Sequence, residues 1–214
     1  MLGAHGRSVT RAVFTPVARV LSALHITPNV ITVTGSVATI AVSIAVLARG
    51  YLWQGAVALG VVLLFDSLDG VLARSTGQSS AFGAFLDSTL DRLGDGAVFG
   101  SLAAWAAMGM ASGPVRTVSV IAGLIAMVGA GTVPYARARA ESVGVEAKLG
   151  IAERTDRLII GLLGAFLTGL GLPEWLYAAG LCWVAFASLV TVGQRIWFTR
   201  RALGAQRGGP EATA

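Results

Sequence analysis

The sequence predicts an all-α integral membrane protein with six transmembrane helices, preceded by an N-terminal amphipathic helix lying in the membrane interface. Three observations lead there. Hydrophobic residues make up 55% of the 214 and charged residues only 13%, against about 25% charged in a soluble domain; the mean hydropathy is +0.73. Segments 30–48, 96–115, 117–136, 158–173 and 175–194 carry no charge, and a sixth, 50–65, runs uncharged into Asp66. Several approach the roughly 20 residues that cross a bilayer. The basic residues are also one-sided. Arg7, Arg11 and Arg19, Arg74, the stretch 137–157 and the stretch 195–207 all fall on one side of six spans, opposite Arg49 and Arg116. That asymmetry places both termini in the cytoplasm of a cell-membrane protein. The net charge of +5 then faces anionic headgroups and an anionic substrate rather than nucleic acid.

Taken in order, residues 1–25 form the N-terminal cytoplasmic segment. Val13, Val17, Val20, Leu21 and Leu24 recur at helical spacing between Arg11 and Arg19, the pattern of a basic interfacial helix. No short apolar core with a small-residue cleavage site precedes it, so no cleavable signal peptide is expected. Thr27, Pro28 and Asn29 suit the start of the next helix, with a polar cap and a proline in the first turn. The membrane domain covers 26–202, with spans at about 30–47, 52–73, 81–110, 115–135, 151–171 and 174–197. The fourth continues as one helix through Glu141, and 142–150 is the longest polar linker. Glu153 and Asp156 complement the dipole of the fifth helix, whereas Arg154 and Arg157 run against it, which points to another task. Residues 203–214, rich in Gly and Ala, are expected to be a disordered tail. Gly161, Gly164 and the small residues 129–131 suit close helix contact, within the chain or in a homodimer. Cys182 is the one cysteine, which excludes an intramolecular disulfide and a cysteine metal site.

Chemistry concentrates in residues 66–91. Asp66 and Asp69 are three apart at the end of the second span; Asp87 and Asp91 are four apart at the start of the third. Each spacing puts two carboxylates on one helix face. The topology sets all four at the same depth on the cytoplasmic side. Left in lipid, they would cost on the order of 10 kcal/mol, so a functional site outweighs a buried ion-pair cluster. Converging carboxylates repel unless cations lie between them, and hard divalent cations such as Mg²⁺ favour oxygen ligands. Gly70 and Gly83 beside the cluster allow close approach to the backbone. Two metal ions on such carboxylates, with arginines for the remaining phosphate oxygens, describe phosphoryl transfer on a lipid diphosphate.

The pattern Asp66-x2-Asp69-Gly70-x2-Ala73-Arg74-x8-Gly83-x3-Asp87-x3-Asp91 resembles the signature of the CDP-alcohol phosphotransferases at every specified position. The resemblance implies that Asp66, Asp69, Asp87 and Asp91 hold two Mg²⁺ ions, with Mn²⁺ as an alternative. It implies Asp91 as general base, and Asn29, Thr32, Gly70, Ala73, Arg74 and Gly83 as contacts for CDP-diacylglycerol. Residues 135–141, 153–160, 95–99 and 194–195 are similar to the phosphatidylinositol phosphate synthase branch of actinobacteria. That branch usually has lysine where this chain has Arg137, an exchange that keeps the charge but alters hydrogen-bond geometry. The branch implies an acceptor-phosphate pocket of Arg137, Arg154 and Arg195. The expected reaction moves a phosphatidyl group from CDP-diacylglycerol to inositol phosphate and releases CMP. Phosphatidylglycerophosphate synthesis from glycerol 3-phosphate is the alternative, and cation transport through an acidic site a distant one.

Overall fold

The computed structural model describes residues 27–66 and 80–207. Among the described residues the protein is all-helical. Helix α1 (Pro28–Val42) runs on through a π-helical turn at Ser43–Leu47; α2 spans Leu52–Asp66, α3 Ala81–Gly109, α4 Pro114–Ser142, α5 Arg154–Gly169 and α6 Trp175–Arg207. Pro28 begins α1 and Thr27 stands at its N-cap position, as expected of a proline whose missing N–H costs nothing there.

The helices meet through small residues. A methyl group on Gly123 of α4 would lie 2.9 Å from Ala103 Cβ of α3, and one on Gly129 of α4 2.5 Å from Ser188 Cβ of α6. Gly164 of α5 lies against the Tyr177 backbone, where a Cβ would come within 3.3 Å. Close backbone approach substitutes for hydrophobic drive where the surroundings are themselves apolar. The central cluster joins Leu47, Leu59, Phe99, Leu102, Tyr177 and Leu181. Tyr177 Oη donates to Leu102 O at 2.6 Å, and its ring meets Trp105 edge-on at 5.0 Å. The outside is the reverse of a water-soluble surface: Val37, Ile44, Val128, Phe186 and Ile196 are all exposed, apolar side chains that suit lipid.

Among the described residues, three helices are long and apolar enough to cross a membrane, at Pro28–Leu47, Pro114–Ser142 and Trp175–Ala205, and Leu52–Phe65 is a shorter apolar helix. The other two depart from that pattern for visible reasons. Helix α3 carries Asp87, Asp91, Arg92 and Asp95 in its first half, and α5 is only 16 residues long and opens with Arg154, Asp156 and Arg157. The polar ends that shorten their apolar stretches are the residues that build the site. Helix α4 is continuous through Ser142, matching the expectation that the fourth span emerges as one helix.

One boundary is corrected. The tail was expected to lose structure from 203, yet α6 continues to Arg207. Leu203 and Ala202 pack on a small buried cluster of Ala140, Val145 and Ala147, and this contact carries the helix past its apolar segment. The predicted interfacial helix, Asp69, Gly70, Ala73, Arg74 and residues 208–214 lie outside the described residues.

Candidate functional site

The first turns of α3 are set by a local cap: Ser80 Oγ accepts from the Gly83 N–H at 3.0 Å. Gly83 is needed for a second reason. A Cβ there would stand 3.1 Å from Asn29 Oδ1 and 3.2 Å from Ser80 Oγ, so α1 and α3 approach closely at this end. Asn29 therefore faces α3 rather than capping its own helix. Thr32 is buried, and its hydroxyl donates to Pro28 O at 3.1 Å.

One turn apart on α3, Asp87, Asp91 and Asp95 descend towards the interior. Asp95 is only 4% exposed. Across from them α5 begins, with Asp156 Oδ2 accepting from the Glu153 N–H at 3.0 Å. This cap aims Arg154 and Arg157 at α3. Arg154 Nη1 lies 2.9 Å from Asp91 Oδ1, and its Nε donates to Asp95 Oδ1 at 2.9 Å. Arg157, 2% exposed, places Nη2 3.8 Å from Asp95 Oδ2 and donates from Nη1 to Ala152 O at 3.2 Å. Arg92 reaches back to the Ser88 carbonyl.

The linker between α4 and α5 works as a strap on α6. Gly150 adopts φ +151, and a Cβ there would fall 2.4 Å from Thr191 Cγ2. The Ile151 N–H donates to Thr191 Oγ1 at 3.3 Å. Arg195 is held from two sides: its Nε donates to Leu149 O at 2.9 Å and its Nη1 to Val133 O of α4. Arg137 Nε pairs with Glu141 Oε1 at 2.9 Å. At the strap, the hydrogen bond from Lys148 holds the exposed Glu146 carboxyl below its ordinary range.

Two cavities result. One, of about 640 Å³, lies between α2 and α5, walled by Ala56, Val57, Gly60, Leu63 and Leu64 on one side and Leu158, Ile159, Leu162, Leu163 and Phe166 on the other. Its polar end is Asp87, Asp91 and Arg154. The second, of about 710 Å³, is charged. Among the described residues, Arg92, Arg137, Lys148, Arg154, Arg157 and Arg195 line it against Asp91, Asp95, Glu141 and Glu153, six cations to four carboxylates. The guanidinium groups in this lining suit a phosphate. Asp91 and Arg154 belong to both cavities.

The structure thus brings Arg137, Arg154 and Arg195, from three separate segments, to the lining of one cavity, the three residues that the resemblance assigns to one pocket. It also sets Asp87 and Asp91 beside the end of α2, since Leu63 and Leu64 share their cavity. Asp66 closes α2. Among the described residues no three His, Cys, Asp or Glu side chains group around one point; the side chain of Asp66, and Asp69, lie outside them. The donor chemistry of Asp87 and Asp91, carboxylate oxygens one turn apart on α3, fits a hard cation. Asp95, Arg92, Arg157 and Lys148 line the charged cavity but were not among the predicted site residues. The spacing held a signal for two of them. Asp95 continues the Asp87–Asp91 face by one more turn, and Arg157 repeats the position of Arg154 against the helix dipole.

Residues 25–153 match the family described as CDP-alcohol phosphatidyltransferase. The chain belongs to that family. Phosphatidylinositol phosphate synthases are among its similar relatives. That of Mycolicibacterium smegmatis is 42% identical over 92% of this chain and 90% of its own length. Those of Mycobacteroides abscessus (38%, over 96% and 91%) and Cutibacterium acnes (39%, over 92% and 97%) are comparable. The crystal structure of the Mycobacterium tuberculosis phosphatidylinositol phosphate synthase in complex with manganese and citrate matches with a TM-score of 0.81 at 39% identity, over 87% of this chain and 88% of that one. A second, with CDP-DAG bound, matches with a TM-score of 0.81 at 38% identity, over 88% and 94%. Membership of the CDP-alcohol phosphatidyltransferases sets the transporter reading aside.

Proposed function

We propose that this phosphatidyltransferase moves the phosphatidyl group of CDP-diacylglycerol to inositol phosphate, giving phosphatidylinositol phosphate and CMP. The observation that carries the reading is the meeting of an apolar and a cationic cavity at Asp91 and Arg154. The apolar cavity suits diacylglycerol chains, and the arginines of the charged cavity suit the acceptor's phosphate. Free inositol or serine carries no phosphate for the arginines of this cavity to bind. The named relatives and the CDP-DAG-bound structure support the same pair of substrates.

In this reading, Asp66, Asp69, Asp87 and Asp91 would hold two Mg²⁺ ions, or Mn²⁺, which supply Lewis-acid stabilisation of the diphosphate when bound. Asn29, Thr32, Gly70, Ala73, Arg74 and Gly83 bind the CDP group, the two glycines by admitting it close to the backbone. Arg137, Arg154 and Arg195 fix the acceptor's phosphate. Asp91 takes the proton from the acceptor hydroxyl. The hydroxyl oxygen then attacks the diacylglycerol-bearing phosphorus in line, and the bond to CMP breaks. The apolar walls exclude water from the attacking position. Six spans, a basic interfacial helix at 1–25, a cytoplasmic site and a homodimer complete the proposal. They rest on the one-sided distribution of arginines and on the exposed apolar exterior.

Release of CMP by the purified protein in detergent tests it, with Mg²⁺, CDP-diacylglycerol and one acceptor at a time. Release with inositol phosphate alone is expected. Release with glycerol 3-phosphate instead overturns the acceptor assignment, and release with neither overturns the reaction.

A further inference from the structure

Asp95 has no part in the proposed reaction, yet it is the most buried carboxylate in the lining of the charged cavity. It is 4% exposed and lines that cavity only, whereas Asp91 lines both. Its two oxygens face two arginines from the first turn of α5. Oδ1 accepts from Arg154 Nε at 2.9 Å, and Oδ2 lies 3.8 Å from Arg157 Nη2. Arg157, 2% exposed, donates from Nη1 to Ala152 O at 3.2 Å, which ties the pair to the strap. We propose that Asp95 is a positioning residue for acceptor recognition. It fixes the guanidinium of Arg154 at the cavity lining where the acceptor's phosphate binds, and Arg157 fixes Asp95 in turn.

The arrangement works against local preference. Arg154 and Arg157 are three apart in the first turn of α5, so they share a face, repel one another and oppose the helix dipole. With no anion beside them, both would turn outward to water, as long cationic side chains do. Asp95 supplies that anion from α3. A buried ion network is a poor source of stability, since apolar side chains of similar volume serve as well or better; what it supplies here is direction. A guanidinium is a planar fork, so a carboxylate on Nε sets where the Nη groups point. Arg154 so directed lines the same cavity as Arg137 and Arg195. Asp91 also touches Arg154, at Nη1, but in the proposed reaction it takes the acceptor's proton. Asp95 carries no such duty and holds Arg154 throughout turnover.

The inference rests on the proposed function for its acceptor, and the test separates the two. CMP release by the purified protein in detergent, with Mg²⁺, gives acceptor and donor KM for each variant. Asp95→Asn keeps the shape and removes the charge. It should raise the KM for inositol phosphate about tenfold, as expected for the loss of one charge-assisted hydrogen bond, with the KM for CDP-diacylglycerol unchanged. Arg154→Gln should raise the acceptor KM at least as much. In the Arg154→Gln background, Asp95→Asn should add less than about twofold, because a residue that acts through another has nothing further to lose. Equal rises in both backgrounds, an equal rise in donor KM, or an unchanged acceptor KM in folded Asp95→Asn overturns the inference. Where Asp95→Asn does not fold, Arg154→Lys decides, on a side chain 33% exposed. An ammonium is a point charge and cannot hold Asp95 while directing a fork at the phosphate, so its acceptor KM should match that of Arg154→Gln; a wild-type value overturns the inference. If inositol phosphate supports no CMP release in the wild type, the proposed function falls. Calorimetric binding of inorganic phosphate to the same variants then decides the positioning: affinity unchanged in Asp95→Asn, or lowered equally in both backgrounds, overturns it.

Discussion

Gly150→Ala should damage acceptor use selectively, from a residue that lines the charged cavity only through its backbone. At φ +151 an L-residue is strained by on the order of 1–3 kcal/mol. The added methyl would fall 2.4 Å from Thr191 Cγ2, and Thr191 is fully buried, so the strap must lift by about 1 Å or more to restore van der Waals separation. Overpacking of that kind adds roughly 1–3 kcal/mol. The lift falls on Leu149, whose carbonyl holds Arg195 Nε at 2.9 Å. Losing one charge-assisted hydrogen bond of about 1.5–3 kcal/mol leaves Arg195 misplaced, and the expected rise in acceptor KM is roughly tenfold. CMP release at saturating CDP-diacylglycerol with varied inositol phosphate measures it, alongside thermal melting. Thr191→Ser removes Cγ2 and keeps the hydroxyl for Ile151, so the double variant should recover most of the acceptor KM while keeping the φ strain. Equal rises in donor and acceptor KM, or no recovery in the double variant, would refute the link from strap to Arg195.

Four further outcomes are expected. Asp91→Asn should lower turnover by at least about 10³-fold while nucleotide binding persists; near-normal turnover would remove Asp91 as base. Asp66→Ala should abolish the dependence of CDP-diacylglycerol binding on added Mg²⁺, and binding that stays metal-dependent would remove it from the ligand set. Arg195→Gln should raise acceptor KM roughly tenfold or more with donor KM unchanged, a split that steady-state kinetics resolves. Gly60→Leu fills the apolar cavity at a position with no atom within 4 Å of the added Cβ. It should therefore fold normally and raise the donor KM several-fold; an unaffected donor KM would place the acyl chains elsewhere.

Much of the site was legible in the chain because its signals are local. The spacing of Asp87 and Asp91 needs only helical periodicity, and Pro28 and Ser80 announce helix starts by chemistry that acts within one turn. The arginines at 154 and 157 stood out because they oppose a helix dipole. What escaped is long-range. Asp95 stood only in a stretch similar to one branch of the family, with no role attached; packing against α5 makes it the buried partner of two arginines. Residues 203–207 read as tail because their composition is weak, and the contact that orders them comes from Val145 and Ala147, almost sixty residues earlier. Lys148 sat in a polar linker with nothing to show that the linker folds over a cavity.

The sequence by itself determined the class of protein and the kind of chemistry. Uncharged runs of bilayer length admit few solutions other than helices, and carboxylates at helical spacing among them demand cations. The tertiary structure alone decided which cavity each residue faces. Gly123, Gly129 and Gly164 set how closely the helices approach, and that approach brings α5 against α3, so that Arg154 meets Asp91 and Asp95 across some sixty residues of chain. No local preference encodes such a meeting: it follows from burying the small faces of six helices together, with the charged ends of α3 and α5 left to satisfy one another.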